Sequence, residues 1–382
     1  MYKFYLFCVL LSLLFLLLEK YNKFKTKILC IIMLLLVAWI MINGNNEIGD
    51  LDNYEKAYYN AKNSNINISS DIGYNFLMYI GNKLGLSFLQ FKSILILFSL
   101  SLILNTLTCF TNYAGFFFFF YLLHSVFLDA SQIRNFLSIA IVIYGLKYLL
   151  NKDKSVLYYL FYNILAVSVH FMAVAYFVFI FIRANETIKK WSLRILVVVF
   201  AIIFYFSINT NFISDLIVFF SDFVAEETSN KLLLYSSTRS RFGFLAPTLI
   251  YISNIFFIKY LNHYVLDEHN TVVRNKTVKN MVYTNAKKIN NNAEFFKLVE
   301  QISTISIFFL PFNVVSLTFY RLVRNIFLFD LIYYSVCFDA VKSISKKILI
   351  FLGVMFLIIL WRYFDFNIYL EADFIQKVYF YN

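Results

Sequence analysis

Apolar residues run in long blocks along this chain, and polar residues gather in the short stretches between them. Blocks at about 3–18, 28–42, 88–107, 113–128, 135–150, 193–208, 244–261, 296–315, 325–340 and 347–361 lie near the ~20 residues that a helix needs to cross a bilayer. Only 9 Gly and 2 Pro leave few breakers inside them. The pattern predicts an all-α fold: a polytopic integral membrane protein with about 10–12 transmembrane helices. No internal repeat and no Pro/Gly/Ser linker divides residues 1–382, so they read as a single multi-pass domain.

Orientation follows from where Lys and Arg collect beside the spans. Lys20, Lys23, Lys25 and Lys27 follow the first block, Lys147, Lys152 and Lys154 the fifth, and Lys342, Lys346 and Lys347 precede the last. The 262–297 loop adds Arg274, Lys276, Lys279, Lys287, Lys288 and Lys297. Placing all of these in the cytoplasm makes the alternation work, with both termini outside and with 43–74 and 209–243 as outer loops. The stretch 156–182 is basic on both flanks and too long for one upright span. A helical hairpin bent near His170 satisfies both flanks, either as two short spans or as a re-entrant pair.

Composition narrows the class. The chain is 61% hydrophobic and 21% aromatic, with only 15% charged residues and a mean hydropathy of +0.69. A soluble domain would carry about 25% charged residues. The net charge of +12 is mostly this topology and requires no nucleic acid. Four cysteines, Cys8, Cys30, Cys109 and Cys337, have no paired spacing, which argues against a disulfide framework or a zinc site. The run from Phe4 to Leu18 follows a single Lys3, and no small-residue cleavage site comes after it, so it reads as a retained span.

With this orientation several polar residues fall on the outer side. The 43–74 loop carries Glu47, Asp50, Asp52, Glu55 and Asp71 against Lys56 and Lys62. The segment DASQIRN (129–135) opens a helix pair with Gln132, Arg134 and Asn135. Arg239 and Arg241 follow an amphipathic piece near 211–224, and Arg321 and Arg324 stand at helical i, i+3 spacing. Bland readings stand beside these. Arginines at helix ends often snorkel to the headgroups. Glu47, Glu55 and Asp71 read as a solvated loop. His170 and His124 sit in aromatic runs as packing residues do, and nothing completes a metal site around His263 and His269.

Arg134 resists the bland reading. It stands where a helix enters the membrane, and ionisable groups there cost several kcal/mol unless paired or used. Several arginines on one face suit a phosphate, because the guanidinium fork gives bidentate, charge-assisted bonds. On an outer face, where nucleotides are scarce, a lipid-linked pyrophosphate is the natural ligand.

Three features together resemble a known family. GDLDNYEKAYYN follows the second span, QIRN opens a later helix, and AVSVH places a histidine near the middle of the chain. With YRLVRN before a long span, they resemble the EpsG family of Wzy-like polysaccharide polymerases over about residues 28–340. The family often has an Arg shortly before the Gly-x-Asp, whereas this chain reads INGNNEIGD there.

The resemblance implies block polymerisation at the outer face of the bacterial plasma membrane. A growing glycan would pass from undecaprenyl pyrophosphate to the non-reducing-end hydroxyl of an incoming lipid-linked repeat unit. Arg134 and Arg321, with Arg239, Arg241 or Arg324, would hold the pyrophosphate, and Gln132 and Asn135 would add neutral donors. His170, or else Asp52 or Asp50, would be the base. The reaction then needs no cofactor or metal. Its partners are the lipid-linked oligosaccharide, membrane lipid, and a chain-length regulator and flippase of the same pathway. Rival readings are a lipid-linked oligosaccharide flippase, a membrane O-acyltransferase and an inactive scaffold subunit.

Overall fold

The computed structural model describes residues 2–19, 23–43, 51–61, 71–111, 113–150, 155–184, 245–275, 282–315 and 319–369, with single positions between 191 and 205. Asp50, Arg239, Arg241 and the 209–243 loop lie outside the described residues, and the block at 193–208 is described only at single positions. The described residues form helices and turns, with no strand among them. The fold is all-α, as the apolar blocks predict.

Three helices are long and apolar enough to cross a membrane: α5 (Phe88–Phe110), α8 (Ile133–Leu146, continued as a tight turn to Leu150) and α14 (Ile344–Tyr369). Helices α1 (Tyr2–Leu18), α2 (Lys23–Ile42, apolar from Lys27), α6 (Ala114–His124) and α9 (Ser155–Val169) have shorter apolar stretches. α6 is short because the chain breaks at Ser125 and resumes as α7 (Val126–Ser131). A polar helix, α3 (Leu51–Asn60), and a more apolar one, α4 (Ile72–Lys83), precede α5. The rest are α10 (Leu245–Asn275), α11 (Val282–Ile305), the single turn α12 (Phe312–Val315) and α13 (Tyr320–Ala340).

Local chemistry sets the α4–α5 corner. Gly85 takes φ +71° just past the end of α4, a left-handed conformation that suits glycine. The N–H groups of Gly85 and Leu86 then reach back to the carbonyls of Asn82 and Gly81 and close the helix end. Two residues on, Ser87 and Gln90 exchange side-chain and backbone bonds at 2.9 and 3.3 Å and start α5 with a capping box.

α8 and α13 form the centre. Every residue from Leu322 to Cys337 is buried, as is every residue from Asn135 to Ile143. Helices buried all round belong to the core of a bundle. Polar groups inside it are paired with one another. Asp330 of α13 accepts from Asn254 of α10 at 2.7 Å and from Ser303 of α11 at 3.2 Å, while Tyr334 donates to Asn254 at 2.7 Å. This brace ties three helices together.

The stretch 156–182 is a hairpin. α9 ends at Val169, His170 is extended (φ −149°, ψ 116°), and Phe171–Arg183 returns as a 3-10 helix. Arg183 Nε donates to the carbonyl of Leu149, beside the turn from which α9 departs. The return arm therefore finishes beside the end from which α9 departs. With a rise of about 1.5 Å per residue in α9 and about 2.0 Å in the tighter return, they span about 22 and 26 Å. Both arms are apolar, and both are shorter than the three helices long enough to cross a membrane. The lysine-rich end is tied by Lys147 to Asn105 at 2.9 Å, Thr111 to Asp339 at 3.0 Å and Gly115 N–H to Glu19 at 2.9 Å. His170 lies at the opposite end.

Candidate functional site

Three chain breaks converge at that opposite end. The first precedes α4, whose opening turn lies directly on the last turn of α9. A Cβ on Gly73 would clash with Ser168 Oγ and come within 2.9 Å of its carbonyl, so only glycine fits there without displacement. That approach carries Asp71, the residue just before α4, onto the His170 bend. The second break is Gln132 (φ −115°, ψ 55°), which ends α7 and starts α8 afresh. Arg134 thereby falls in the first turn of α8, the end where a helix presents partial positive charge. The third break is His170 itself.

Asp71 joins the three. Its Oδ2 accepts from Arg134 Nη1 at 2.7 Å, and its Oδ1 accepts the N–H of Phe171 at 2.9 Å. The same Oδ1 lies 3.7 Å from His170 Nδ1, an electrostatic contact just beyond hydrogen-bond length. An aspartate before a helix ordinarily caps its own first turn. Asp71 makes no such bond and instead caps the neighbouring 3-10 helix. The Asp71 side chain is 9% exposed, while those of Arg134 and His170 keep 23% and 18% of their surface open. A cation and an imidazole therefore stand side by side with accessible edges around a largely enclosed carboxylate.

Charge balance tunes the pair. Burial pushes the Asp71 carboxyl upward, but His170, the Arg134 charge and the Phe171 N–H outweigh it and hold the group below its ordinary range. His170 goes down as well: burial and the charges of Arg134 and Arg321 lower it, against an upward pull from Asp71. The imidazole is neutral near pH 7 and can accept a proton. Two aromatic rings flank the cation, Tyr54 at 5.6 Å and Tyr74 at 6.0 Å from the Arg134 guanidinium carbon. They hold the fork in place by cation–π attraction.

The other candidates divide by depth. Arg321 is half-buried and close enough for its charge to act on His170. Arg324 is buried, 3.4 Å from Asp129, whose other oxygen accepts from Tyr121 at 3.1 Å. Asn135 exchanges amide bonds of 3.3 and 3.0 Å with Asn325, which also donates to Tyr176 at 3.3 Å, so the pair links α8 to α13. Gln132 is buried at the break. Asp52 is exposed and ion-paired with Lys56 at 2.5 Å, one turn along α3. Among the described residues no group of three or more His, Cys, Asp or Glu side chains could hold a metal ion.

Asp71 departs from the solvated-loop expectation. Its local signal, Ser69-Ser70-Asp71 before an apolar run, marks a helix start and nothing more. Nothing linear connects it to residues 63 and 99 positions away. The link exists only once α4 packs on α9.

The model of the EpsG family matches residues 27–382, which takes in every residue of this junction. No curated protein and no solved structure matches the chain. The three sequence features that suggested the family thus lie within one match running from the second helix to the C-terminus, and the chain belongs to the EpsG family, the family of Wzy-like polysaccharide polymerases.

Proposed function

We propose that the protein polymerises lipid-linked polysaccharide repeat units at the outer face of a bacterial plasma membrane, as a multi-pass enzyme. Family membership gives the polymerase class. The single observation that carries the finer reading is the meeting of Arg134 and His170 across Asp71, at the end away from the lysines. Arg134, with the charge of Arg321, would bind the diphosphate of the donor lipid and offset the charge developing on it, an electrostatic contribution to catalysis. His170 would take the proton from the acceptor hydroxyl. The acceptor oxygen forms a new bond to the anomeric carbon of the growing glycan. The bond from that carbon to the phosphate oxygen breaks, and its electron pair leaves with undecaprenyl diphosphate.

A flippase also needs cations for a diphosphate, but it needs them along a path open to both faces. Here Asp71 holds Arg134 at one end, with Arg321 close enough for its charge to reach His170. Depletion in the native host tests the reading. A polymerase leaves single repeat units on the carrier or the terminal acceptor. A flippase leaves none at the surface, and an O-acyltransferase leaves long, undecorated polymer; either result contradicts the proposal.

A further inference from the structure

We propose that Asp71 is a positioning residue that changes partner when substrate binds: the arriving diphosphate takes Arg134, and the carboxylate closes on His170. The proposal rests on the diphosphate and base roles given above and adds a coupling between them.

The geometry contains both partners of the exchange. Asp71 Oδ2 is on Arg134 at 2.7 Å, while Oδ1 waits 3.7 Å from His170 Nδ1. The Phe171 N–H holds that same Oδ1 at 2.9 Å, and Phe171 is the residue next to His170. The carboxylate is therefore pinned within reach of the imidazole whichever way it turns. A contact of 3.7 Å becomes a hydrogen bond after a movement of less than about 1 Å.

The driving force is electrostatic. A diphosphate carries more negative charge than a carboxylate and presents paired oxygens that fit the guanidinium fork. Once it sits on Arg134, two anions crowd one cation, and repulsion turns Asp71 towards the remaining proton-binding partner. The charged groups facing His170 are Asp71 before α4, Arg134 on α8 and Arg321 on α13. In the unliganded arrangement the two arginines suppress its affinity for a proton. Diphosphate binding neutralises that suppression, and an Asp71 bond to Nδ1–H leaves Nε2 as the lone-pair atom. The base then strengthens only when the leaving group is in place. Such a site would deprotonate hydroxyls, water included, less readily while the donor is absent.

The test uses the full-length protein in detergent micelles with ring-labelled histidine. His170 is assigned by its loss in His170→Gln, and farnesyl diphosphate serves as the probe. On saturation, the His170 pKa should rise by about 1 unit or more, with the neutral ring locked as the Nδ1–H tautomer. In Asp71→Asn the probe should still bind, but the rise should fall to less than half. The wild-type titration decides alone if that variant does not fold. A probe that binds through Arg134 yet leaves the His170 pKa and tautomer unchanged overturns the exchange. Absent binding, or equal binding in Arg134→Ala, overturns the diphosphate reading itself.

Discussion

Asp71 and Arg134 are 63 positions apart in the chain and 2.7 Å apart in the fold, with the carboxylate largely enclosed and the guanidinium open on one edge. The bond fixes the Arg134 side chain in the first turn of α8, where Tyr54 and Tyr74 flank it. An arginine so held keeps its guanidinium fork in one orientation, with one edge open.

Geometry, and not only charge, is therefore at stake in Arg134. Arg134→Ala and Arg134→Lys should both abolish long polymer at normal protein level, because a point charge does not reproduce a planar fork. Loss of one charge-assisted contact to the leaving group costs roughly 2–4 kcal/mol, or about 30- to 1000-fold in rate. Wild-type chain lengths from Arg134→Lys would show that charge alone suffices.

Asp71 gives a pH signature in stability. Its folded carboxyl titrates below the ordinary value of 3.8. Its stabilisation is therefore complete above about pH 3.8 and disappears as pH falls through the lower folded value. Asp71→Asn should melt earlier than wild type at pH 7 in detergent, and the gap should close as the solution is acidified below pH 3.8. A gap that stays constant across that range contradicts the pairing.

Arg324 should behave differently from Arg134. Removing one partner of a buried ion pair leaves an uncompensated charge and costs about 3–5 kcal/mol. Arg324→Ala should therefore lower the yield of folded protein, through the stranded Asp129. Asn325→Ala removes an interhelical amide contact, worth about 0.6 to 1.7 kcal/mol in membrane proteins, and should be milder. An Arg324→Ala protein with unchanged melting but no polymer would instead assign Arg324 to the diphosphate.

Topology has its own check. In a background lacking the four cysteines, Leu84→Cys in the exposed α4–α5 turn should react with an impermeant maleimide on intact cells or spheroplasts. Lys342→Cys, between α13 and α14, should react only after permeabilisation. Reversed labelling would move the Asp71 junction to the cytoplasmic face and remove its substrate.

The apolar helices were legible because burial in lipid requires contiguous apolar blocks, and the hairpin near His170 because both its flanks are basic; α3, inside the stretch read as the 43–74 loop, and the helical parts of the 262–297 stretch were not, because their polar residues look like loop. Arg134 and His170 stood out as polar residues in apolar surroundings. Asp71 did not, since an acid in an acidic loop looks solvated until Gly73 lets α4 close on Ser168. Arg324 showed its charge in the sequence but not its depth. Its pairing with Asp129, 195 positions away, depends on the packing of α13 against α7. Asn135 likewise resembled a ligand donor, and the fold gives its amide to Asn325. Sequence pattern reveals which faces are polar; it does not reveal which polar groups satisfy one another.

The most direct measurement is polymerisation by purified protein in liposomes supplied with undecaprenyl-diphosphate-linked repeat units. Wild type should yield a ladder of longer glycans and release one undecaprenyl diphosphate for each linkage formed. His170→Gln, inserted and still retaining the lipid-linked substrate, should be slower by about 100- to 10,000-fold. The wild-type rate at saturating substrate should also fall on the acid side as His170 protonates, and this limb should be absent from the residual activity of His170→Gln. A wild-type protein that forms no linkage, or a His170→Gln protein that makes the full ladder with an unchanged pH profile, would contradict the account.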